Sequence, residues 1–382
     1  MPFSIESAYL ADINELLKLY FVVYGNSYPL SYNDPKVMAD TISSVDHNWL
    51  VARDKATGAI AGSVVFDLDP INKVGKVAAL VVHPDYRKQS VGSTLVSVGG
   101  RDLISEAGPL NTLYTTTRTL SVGPQLTFLR DGYLPLGIFP NAHRLREFET
   151  TTLLAKFKPG VLERRRRPER IPRKLAKIYE VLHAQLGVTE SQELTDRDEW
   201  TPAPAAPELE FELVFAPDYV LRRFNEAFKD PYDRFYPFHL PNLLMASKNG
   251  EVEIYAYFSK VDGYCAIVAL DQPVYTLEGR LRGLLRLLRG FGVSYLEVLM
   301  GVEHTRSLET LLQSQFLPVA IYPAMREVDG AMHDFVVLSR TMEPLNFRGM
   351  EIEKRFKPYV AQYIELWKDM YLNTLEIFNE RK

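Results

Sequence analysis

Apolar and polar positions along residues 1–158 follow patterns that predict a succession of short strands and helices. Ile13, Leu16, Leu17 and Tyr20 recur at helical spacing, so residues 11–24 are predicted to form an amphipathic helix. Residues 76–83 are almost continuously apolar, which is typical of a strand buried on both faces. Further helices are predicted at 36–44, 91–106 and 124–130, and further strands from Ile5 and at 49–53, 59–67, 112–116, 133–139 and 147–156. This order indicates an α/β domain with a mixed sheet.

The same pattern recurs later in the chain. The octapeptide YLPLGIFP at 133–140 reappears as FLPVAIYP at 316–323, which is an offset of 183, and the strand and helix before it recur at the same offset. This agreement favours an internal repeat over an unrelated α/β domain, which is the alternative. We therefore expect a second domain of the same fold at 208–342, with a hairpin around Asn249 and Gly250.

A connector at 159–207 joins the two predicted domains, and charge is unevenly distributed around it. Residues 156–177 hold ten Lys or Arg against two Glu, a local net charge of +8, whereas residues 178–212 hold nine acidic residues against one Arg, a local net charge of −8. We expect the two blocks to attract each other or complementary domain surfaces; the alternative is that the run from Arg164 to Arg167 binds nucleic acid or an acidic partner. Apolar spacing between Ile171 and Leu186 predicts a helix, and residues 201–207 are typical of a Pro/Ala linker.

The C-terminal extension, residues 343–382, is predicted to contain a long helix at 356–378. This helix has an aromatic surface formed by Tyr359, Tyr363, Trp367, Tyr371 and Phe378. Such a surface must be covered, either by a domain of the same chain or by a second copy of the chain in a homodimer.

Composition and charge narrow the class of protein. The chain has 382 residues, a net charge of −4 and a single cysteine, Cys265, so neither an intrachain disulfide nor a cysteine-based metal cluster can form. The first twenty residues lack the features of a signal peptide, and no segment has the roughly 20 apolar residues of a membrane span. We expect a cytoplasmic protein with no metal and no membrane partner, and the net charge predicts no general attraction to nucleic acid.

The stretch with the clearest chemical meaning runs from Leu80 to Ser93. A buried strand ends before Pro84, and a helix is predicted to begin at Val91 after a short turn. The first turn of a helix carries free backbone N–H groups and the positive end of the helix dipole, which together bind anions. Small residues at Ser90, Gly92 and Ser93 would let phosphates approach the backbone, so we call residues 87–93 the anion loop and predict a pyrophosphate ligand.

These residues resemble the GNAT superfamily of acyl-coenzyme A dependent N-acetyltransferases. The family motif is Arg/Gln-x-x-Gly-x-Gly/Ala after a strand that ends in Val-x-Pro, and the chain has Val82 and Pro84, then Arg87 and Gly92, with Ser90 in place of the first glycine. The resemblance extends in element order over residues 3–155. It implies acetyl-CoA as cosubstrate, with the acyl and pantetheine portion on Leu80, Val81 and Val82. It also implies a pyrophosphate cradle formed by Arg87, Lys88, Gln89, Ser90, Val91, Gly92 and Ser93.

The resemblance implies that the second domain, 208–342, is a degenerate copy. At the constant offset of 183, the residues at 87–92 correspond to 270–275, where Pro273 lacks an N–H and Tyr275 adds bulk. We therefore expect acetyl-CoA to bind only the first domain, residues 1–158.

The proton-transfer groups that the resemblance implies are missing. The strand before the anion loop has no acidic residue, and Phe128 falls where many family members have a tyrosine. His83 is interpreted as structural. The remaining candidates for a general base lie on predicted strand ends or loops, where a solvated surface role is the alternative: Asp67, Asp69, His143, Glu147 and Glu149. No base is assigned.

Two hypotheses for the function follow. The leading hypothesis is an N-acetyltransferase that transfers an acetyl group to an amine of a small molecule or peptide. The alternative is a non-catalytic acyl-CoA-binding or regulatory protein, which the missing proton-transfer groups favour.

Overall fold

The computed structural model describes residues 2–25, 34–144, 147–196, 209–230 and 236–372. The chain divides into two compact units that do not follow chain order. The first unit comprises Met1–Thr117, Ser121–Leu134 and Leu153–Glu163, and the second comprises Arg118–Leu120, Pro135–Thr152 and Arg164–Lys382. The predicted linker at 201–207 and the predicted helix beyond residue 372 lie outside the described residues.

The first unit has the predicted mixed α/β architecture. Its strands run in the order β1-β2-β3-β4-β5, antiparallel except for the parallel pair β4–β5. The elements are β1 (Phe3–Ser7), α1 (Ile13–Tyr24), α2 (Pro35–Ser43), β2 (His47–Asp54), β3 (Ile60–Asp69), β4 (Val74–Val82), α3 (Val91–Leu103), β5 (Thr112–Arg118, whose last residue is in the second unit) and α4 (Gly123–Arg130).

Helices cover both faces of the central strands in this unit. Val65 belongs to an apolar cluster with Leu16 and Tyr20 of α1 and Met38 of α2. The next residue, Phe66, points to the other face and packs so closely against α3 that a Cβ at Gly99 would lie 2.3 Å from its ring. These contacts cover both faces of β3, and α3 packs against the neighbouring strand β4 as well.

The second unit contains another mixed sheet, in the order β6-β15-β16-β14-β13-β12-β11-β10, with only β13–β14 parallel. Two strands, β6 (Leu134–Arg144) and β7 (Phe148–Phe157), each cross a boundary between the units. The remaining elements of the second unit are β8 (Arg170–Pro172), α5 (Ala176–Leu186), β9 (Glu193–Thr195), β10 (Phe211–Val214), α6 (Pro217–Ala227), β11 (Leu243–Ser247), β12 (Glu253–Ser259), β13 (Tyr264–Leu270), α7 (Leu281–Phe291), β14 (Tyr295–Gly301), α8 (Thr305–Gln313), β15 (Leu317–Val328), β16 (Ala331–Thr341) and α9 (Lys357–Tyr371). The parallel strands β8 and β9, which the sequence did not indicate, form a separate small sheet.

Elements from β10 to β16 repeat the types and order found from β1 to β7, apart from α2. The strands β14, β15 and β16 begin at a constant offset of 183 from β5, β6 and β7, which matches the offset predicted from sequence. The helix α7, however, begins at Leu281, an offset of 190 from Val91. The predicted correspondence of residues 87–92 with 270–275 is therefore wrong, because the chain from the start of α7 to the start of β14 is seven residues shorter than the chain from α3 to β5. The structural counterpart of Gly92 is Arg282.

The regions predicted as a connector and a C-terminal extension contain similar elements. A short 3-10 helix, Arg173–Leu175, precedes α5, and another, Lys354–Phe356, precedes α9. Both long helices pack on β15 and on each other. On α9, Tyr359 and Tyr363 are buried, and the Tyr359 hydroxyl donates to the Pro135 carbonyl at 2.9 Å. Tyr359 and Tyr363 of α9 are thus covered by their own chain, whereas Trp367 and Tyr371 are half-buried.

The two charged blocks pair with each other. Arg165 is almost fully buried and forms bidentate hydrogen bonds with Asp334, at 2.7 Å, and Glu190, at 2.9 Å. Further basic residues reach the acidic block, as in the ion pair between Arg173 and Asp196. This confirms the predicted attraction between the halves of the connector and removes Arg165 from any contact with nucleic acid.

Candidate functional site

A β-bulge interrupts β4 shortly before Pro84. The ladder with β3 shifts register between Ser63 and Val65, and Ala79 adopts a φ of +51°, which L residues rarely occupy. The Tyr20 hydroxyl donates to the Ala79 carbonyl at 2.9 Å, and the Tyr24 hydroxyl donates to the Leu80 carbonyl at 3.4 Å. The two tyrosines of α1 therefore fix the bulge that redirects the end of β4.

The strands β4 and β5 pair only at their beginnings. Their parallel ladder joins residues 74–76 to residues 112–114, and the next carbonyl, that of Val77, accepts from the Thr115 hydroxyl at 2.8 Å. Leu80 and Val82, further along β4, are half-buried. Within the described residues, this end of β4 is thus an edge of the sheet beside β5. A strand edge can bind an extended ligand through backbone hydrogen bonds.

The anion loop follows a short 3-10 helix, Pro84–Tyr86. The His83 Nδ1 accepts a hydrogen bond from the Asp85 N–H at 3.3 Å, so His83 caps this turn, in agreement with its predicted structural role. Lys88 and Ser90 both have positive φ, at +64° and +61°. All four residues from Arg87 to Ser90 are exposed, which leaves the two cationic side chains available to a ligand.

Helix α3 begins with backbone N–H groups that no side chain caps, at a position beside the end of β4. Ser90 is its N-cap, but its side chain makes no capping hydrogen bond, and the first turn contains no acidic residue. The hydroxyls of Ser93 and Thr94 donate to the Ser90 carbonyl at 3.0 and 2.9 Å. A Cβ at Gly92 would lie 3.4 Å from Val82 Cγ2 and 3.9 Å from Leu80 Cδ2. The start of α3 therefore lies directly against the end of β4.

This arrangement fits a pyrophosphate and an extended pantetheine chain. The helix start, Arg87 and Lys88 supply positive charge, and the absence of a side chain at Gly92 keeps the backbone accessible. The structure brings together Leu80, Val82 and Gly92 from the predicted set, with Val81 buried between the first two. Across the described residues, no group of three or more His, Cys, Asp or Glu side chains could hold a metal ion.

The candidate bases have other contacts. In the first unit, Asp67 faces His47 at 3.6 Å, and Asp69 accepts from the backbone N–H groups of Ile71 and Asn72. Phe128 is buried edge-on against Tyr133, with 5.1 Å between ring centroids, so no hydroxyl lies at its position.

In the second unit, the other candidates are also engaged. His143 Nδ1 is 2.8 Å from an Asp262 oxygen, Glu149 binds Arg118 through two hydrogen bonds of 2.8 Å, and Glu147 accepts from the Asn346 amide at 3.2 Å. Burial raises the pKa of Asp262, but hydrogen bonds from His143 and Ser259 outweigh it and hold that pKa below its usual value.

Sequence reasoning missed Tyr20, Tyr24 and Thr115, the residues that shape β4. Tyr20 was assigned to the apolar face of its helix, and nothing in the local pattern marks a hydroxyl that binds a strand 59 residues away. The pair of tyrosines four residues apart on one helix face is the only signal that the sequence offers.

Comparison with known proteins agrees with this geometry. Residues 10–99, which include α1, β4 and the anion loop, match the Acetyltransferase (GNAT) family model. No curated protein matches the sequence. The chain therefore contains a GNAT acetyltransferase domain, of a family whose members are acyltransferases that use acetyl-CoA.

Solved structures of this family resemble part of the chain. A GNAT-family acetyltransferase from Streptococcus pneumoniae is 20% identical over 41% of this chain and 99% of its own, with a TM-score of 0.36. The ribosomal-protein-S5-alanine acetyltransferase from Vibrio fischeri is 11% identical over 42% and 95%, with a TM-score of 0.37. Spermidine N-acetyltransferase from Vibrio cholerae, in complex with CoA and spermine, is 10% identical over 41% and 96%, with a TM-score of 0.36.

None of the helices in the described part of the chain has the length and apolar character needed to cross a membrane.

Proposed function

We propose that this protein is an acetyl-CoA-dependent N-acetyltransferase whose acceptor is an amine of a small molecule or peptide. The observation that carries the proposal is the junction of β4 with α3, where a Cβ at Gly92 would lie 3.4 Å from Val82. A helix start with no acid in its first turn, placed against a bulged strand edge, suits a ligand that joins a pyrophosphate to an extended amide chain.

In this proposal, the chain binds and orients the donor. The backbone of Leu80, Val81 and Val82 holds the pantetheine portion, and the loop from Arg87 to Ser93 holds the pyrophosphate. Acetyl-CoA supplies an activated acetyl thioester for attack by the acceptor amine. A backbone N–H near Val82 would stabilise the developing oxyanion, and immobilisation of the donor would contribute through proximity. We assign no base, because β4 carries no acid and the described candidates have other partners.

We further propose that the chain is a tandem of two GNAT-like domains, at 1–158 and 208–342, with the connector at 159–207 and the extension at 343–382. The shared element order and the constant offset of 183 support this division. The second domain would not bind acetyl-CoA, since Arg282 stands at the position of Gly92 and places a side chain at the helix start, where the first domain has none. We propose the cytoplasm as the compartment, in keeping with a single cysteine, Cys265, that is buried and reduced.

A non-catalytic acyl-CoA-binding protein is the second candidate. Phe128 and the acid-free β4 favour it, because both remove groups that would transfer protons.

Two measurements on the full chain separate the candidates. Isothermal titration with acetyl-CoA should show saturable binding, and no binding at millimolar concentration by folded protein would contradict both candidates. Thiol release from acetyl-CoA should then rise when a panel of polyamines, amino acids and peptides is added. Binding without acetyl transfer to any acceptor would favour the non-catalytic alternative.

A further inference from the structure

A cavity of about 240 Å³ lies in the second unit, away from any residue used in the proposed function. It is bounded by the segment after Arg165, by the start of α8 and by β16. Its charged and polar lining comprises three arginines (Arg166, Arg167 and Arg170), Thr305, His333 and the carboxylates of Glu169, Glu303 and Asp334.

The burial of Arg165 determines which cations face this cavity. Arg165 points inward to Asp334 and Glu190, and Arg167 also lies 3.3 Å from Glu190, so two arginines balance these two buried carboxylates. The backbone N–H of Arg166 donates to the Met332 carbonyl at 2.8 Å, which holds this segment against β16. Because successive side chains of an extended segment point in opposite directions, Arg166 is directed outward. Within the described part of the chain, Arg166 has no acidic partner within 4.0 Å.

Other donors converge on the same space. Thr305 is the first residue of α8, a helix with neither a side-chain cap nor an acid in its first turn. The side chain of His333 is 12% exposed, and its Nδ1 is 3.9 Å from Glu303, beyond hydrogen-bond distance. Arg167 and Arg170 lie on the rim, at 3.3 Å from Glu190 and 3.4 Å from Glu193.

We propose that this cavity binds the compact anionic group, a phosphate or a carboxylate, of a small molecule. Arg166 would be its main charged partner, with the N–H groups of α8 and the His333 ring as further donors. The volume lies below the roughly 300–1,000 Å³ of sites for drug-sized ligands, which indicates a small ligand. Glu169 and Glu303 on the same cavity disfavour a long polyanion, so the site selects against nucleic acid.

The test uses the full chain and two matched arginine variants. Inorganic phosphate and acetate are each titrated and followed by NMR chemical shifts of the His333 ring. Wild-type protein should bind at least one of them saturably in the millimolar range, and Arg166→Gln should bind at least about tenfold more weakly, a loss of about 1.4 kcal/mol. Arg164→Gln should bind like wild type, because Arg164 pairs with Glu327 at 3.3 Å and does not line the cavity.

Several outcomes would overturn this proposal. They are the absence of saturable binding of either anion by wild type, equal binding by wild type and Arg166→Gln, and an equal loss in Arg164→Gln. Displacement of the anion by a single-stranded oligonucleotide that binds more tightly would overturn the small-molecule assignment. Thermal unfolding checks that the variants fold. If Arg166→Gln does not fold, Arg166→Lys takes its place, because it keeps the charge and loses the planar guanidinium. None of these outcomes depends on acetyl-CoA binding.

Discussion

At the residue scale, Ser90 occupies a backbone conformation that suits glycine. Its φ of +61° and ψ of 15° are left-handed, and its side chain makes no capping hydrogen bond that would offset the steric cost. The replacement of the family's glycine by serine is therefore tolerated by the fold at a local energetic cost.

Replacing Ser90 by glycine should stabilise the protein. Removal of the Cβ relieves the strain of the left-handed conformation, whereas glycine gives the unfolded chain more conformational freedom. Since the first effect is larger, we expect the free energy of unfolding, measured in urea, to rise by about 0.5–1 kcal/mol. Ser93→Gly is the control, because Ser93 is helical and its hydroxyl binds the Ser90 carbonyl; it should lower stability. A Ser90→Gly variant less stable than wild type would contradict this reading of the loop.

His183 should make stability depend on pH. Burial, aided by the nearby Arg165, holds its pKa below the usual value although Glu190 opposes the shift. The unfolded chain then binds a proton that the folded chain does not, so stability should fall as the pH drops below about 6.5.

Urea unfolding at about pH 7.5 and about pH 5.5 measures this loss. His183→Gln should lose less stability between the two conditions than wild type. His304→Gln should behave like wild type, because the His304 side chain is 62% exposed. Identical pH dependence in wild type and His183→Gln would exclude His183 as the cause.

At the element scale, the strand, turn and helix around the anion loop could be predicted closely, since α3 begins at the predicted Val91. A buried apolar run, Pro84 and a group of small residues are local signals. The bulge at Ala79 could not be predicted, because it depends on hydroxyls of Tyr20 and Tyr24 that are distant in sequence. The alignment of residues 87–92 with 270–275 failed for a different reason. The stretch from the start of α7 to β14 is seven residues shorter than the stretch from α3 to β5, but β14, β15 and β16 keep the offset of 183, so the offset of the strands does not reveal the shift.

The contact between β6 and β15 leaves no space for a side chain at Gly137. A Cβ there would lie 2.3 Å from the Val319 carbonyl oxygen and 2.5 Å from Ala320 Cα, both of which are backbone atoms. Gly137→Ala should therefore destabilise the protein by about 1–3 kcal/mol in urea unfolding. In Gly123→Ala the nearest atom is 3.9 Å away, and this control should be neutral or stabilising. Equal stability of the two variants would mean that β6 does not pack on β15 as described.

The buried arginine holds the connector to β16. Arg165→Met would leave the buried Asp334 without its arginine and Glu190 with only the exposed Arg167, so we expect the free energy of unfolding in urea to fall by about 3–5 kcal/mol. Arg164→Met removes only a partly exposed ion pair with Glu327 and should cost about 0–1 kcal/mol. Similar losses in both variants would show that the burial of Arg165 does not matter for stability.

At the scale of the whole molecule, the recurring octapeptide could be read from the sequence, but the compact units could not. The octapeptide at 133–140 predicts the position of β15, yet residues Pro135–Thr152 belong to the second unit although they precede most of it in the chain. Strand pairing between distant segments, such as Gly137 with Ala320, has no local pattern to reveal it. Periodicity alone likewise could not show that Tyr359 and Tyr363 of α9 are covered by the same chain rather than by a second copy.

The central claim is that the first turn of α3 and the end of β4 bind acetyl-CoA, and Gly92→Leu tests it. The Cβ of the new side chain would lie 3.4 Å from Val82 Cγ2, and the rest of the side chain would cover the edge of β4. Leucine is favourable in a helix, so folding should be preserved. Gly290→Leu is the matched control, because no atom lies within 4 Å of its Cβ position in α7.

The measurement is isothermal titration of the full chain and both variants with acetyl-CoA. We predict saturable binding by wild type and Gly290→Leu, and binding at least about tenfold weaker by Gly92→Leu with unchanged thermal stability. Binding by Gly92→Leu that equals wild type, or no binding by folded wild type at millimolar concentration, would contradict the account.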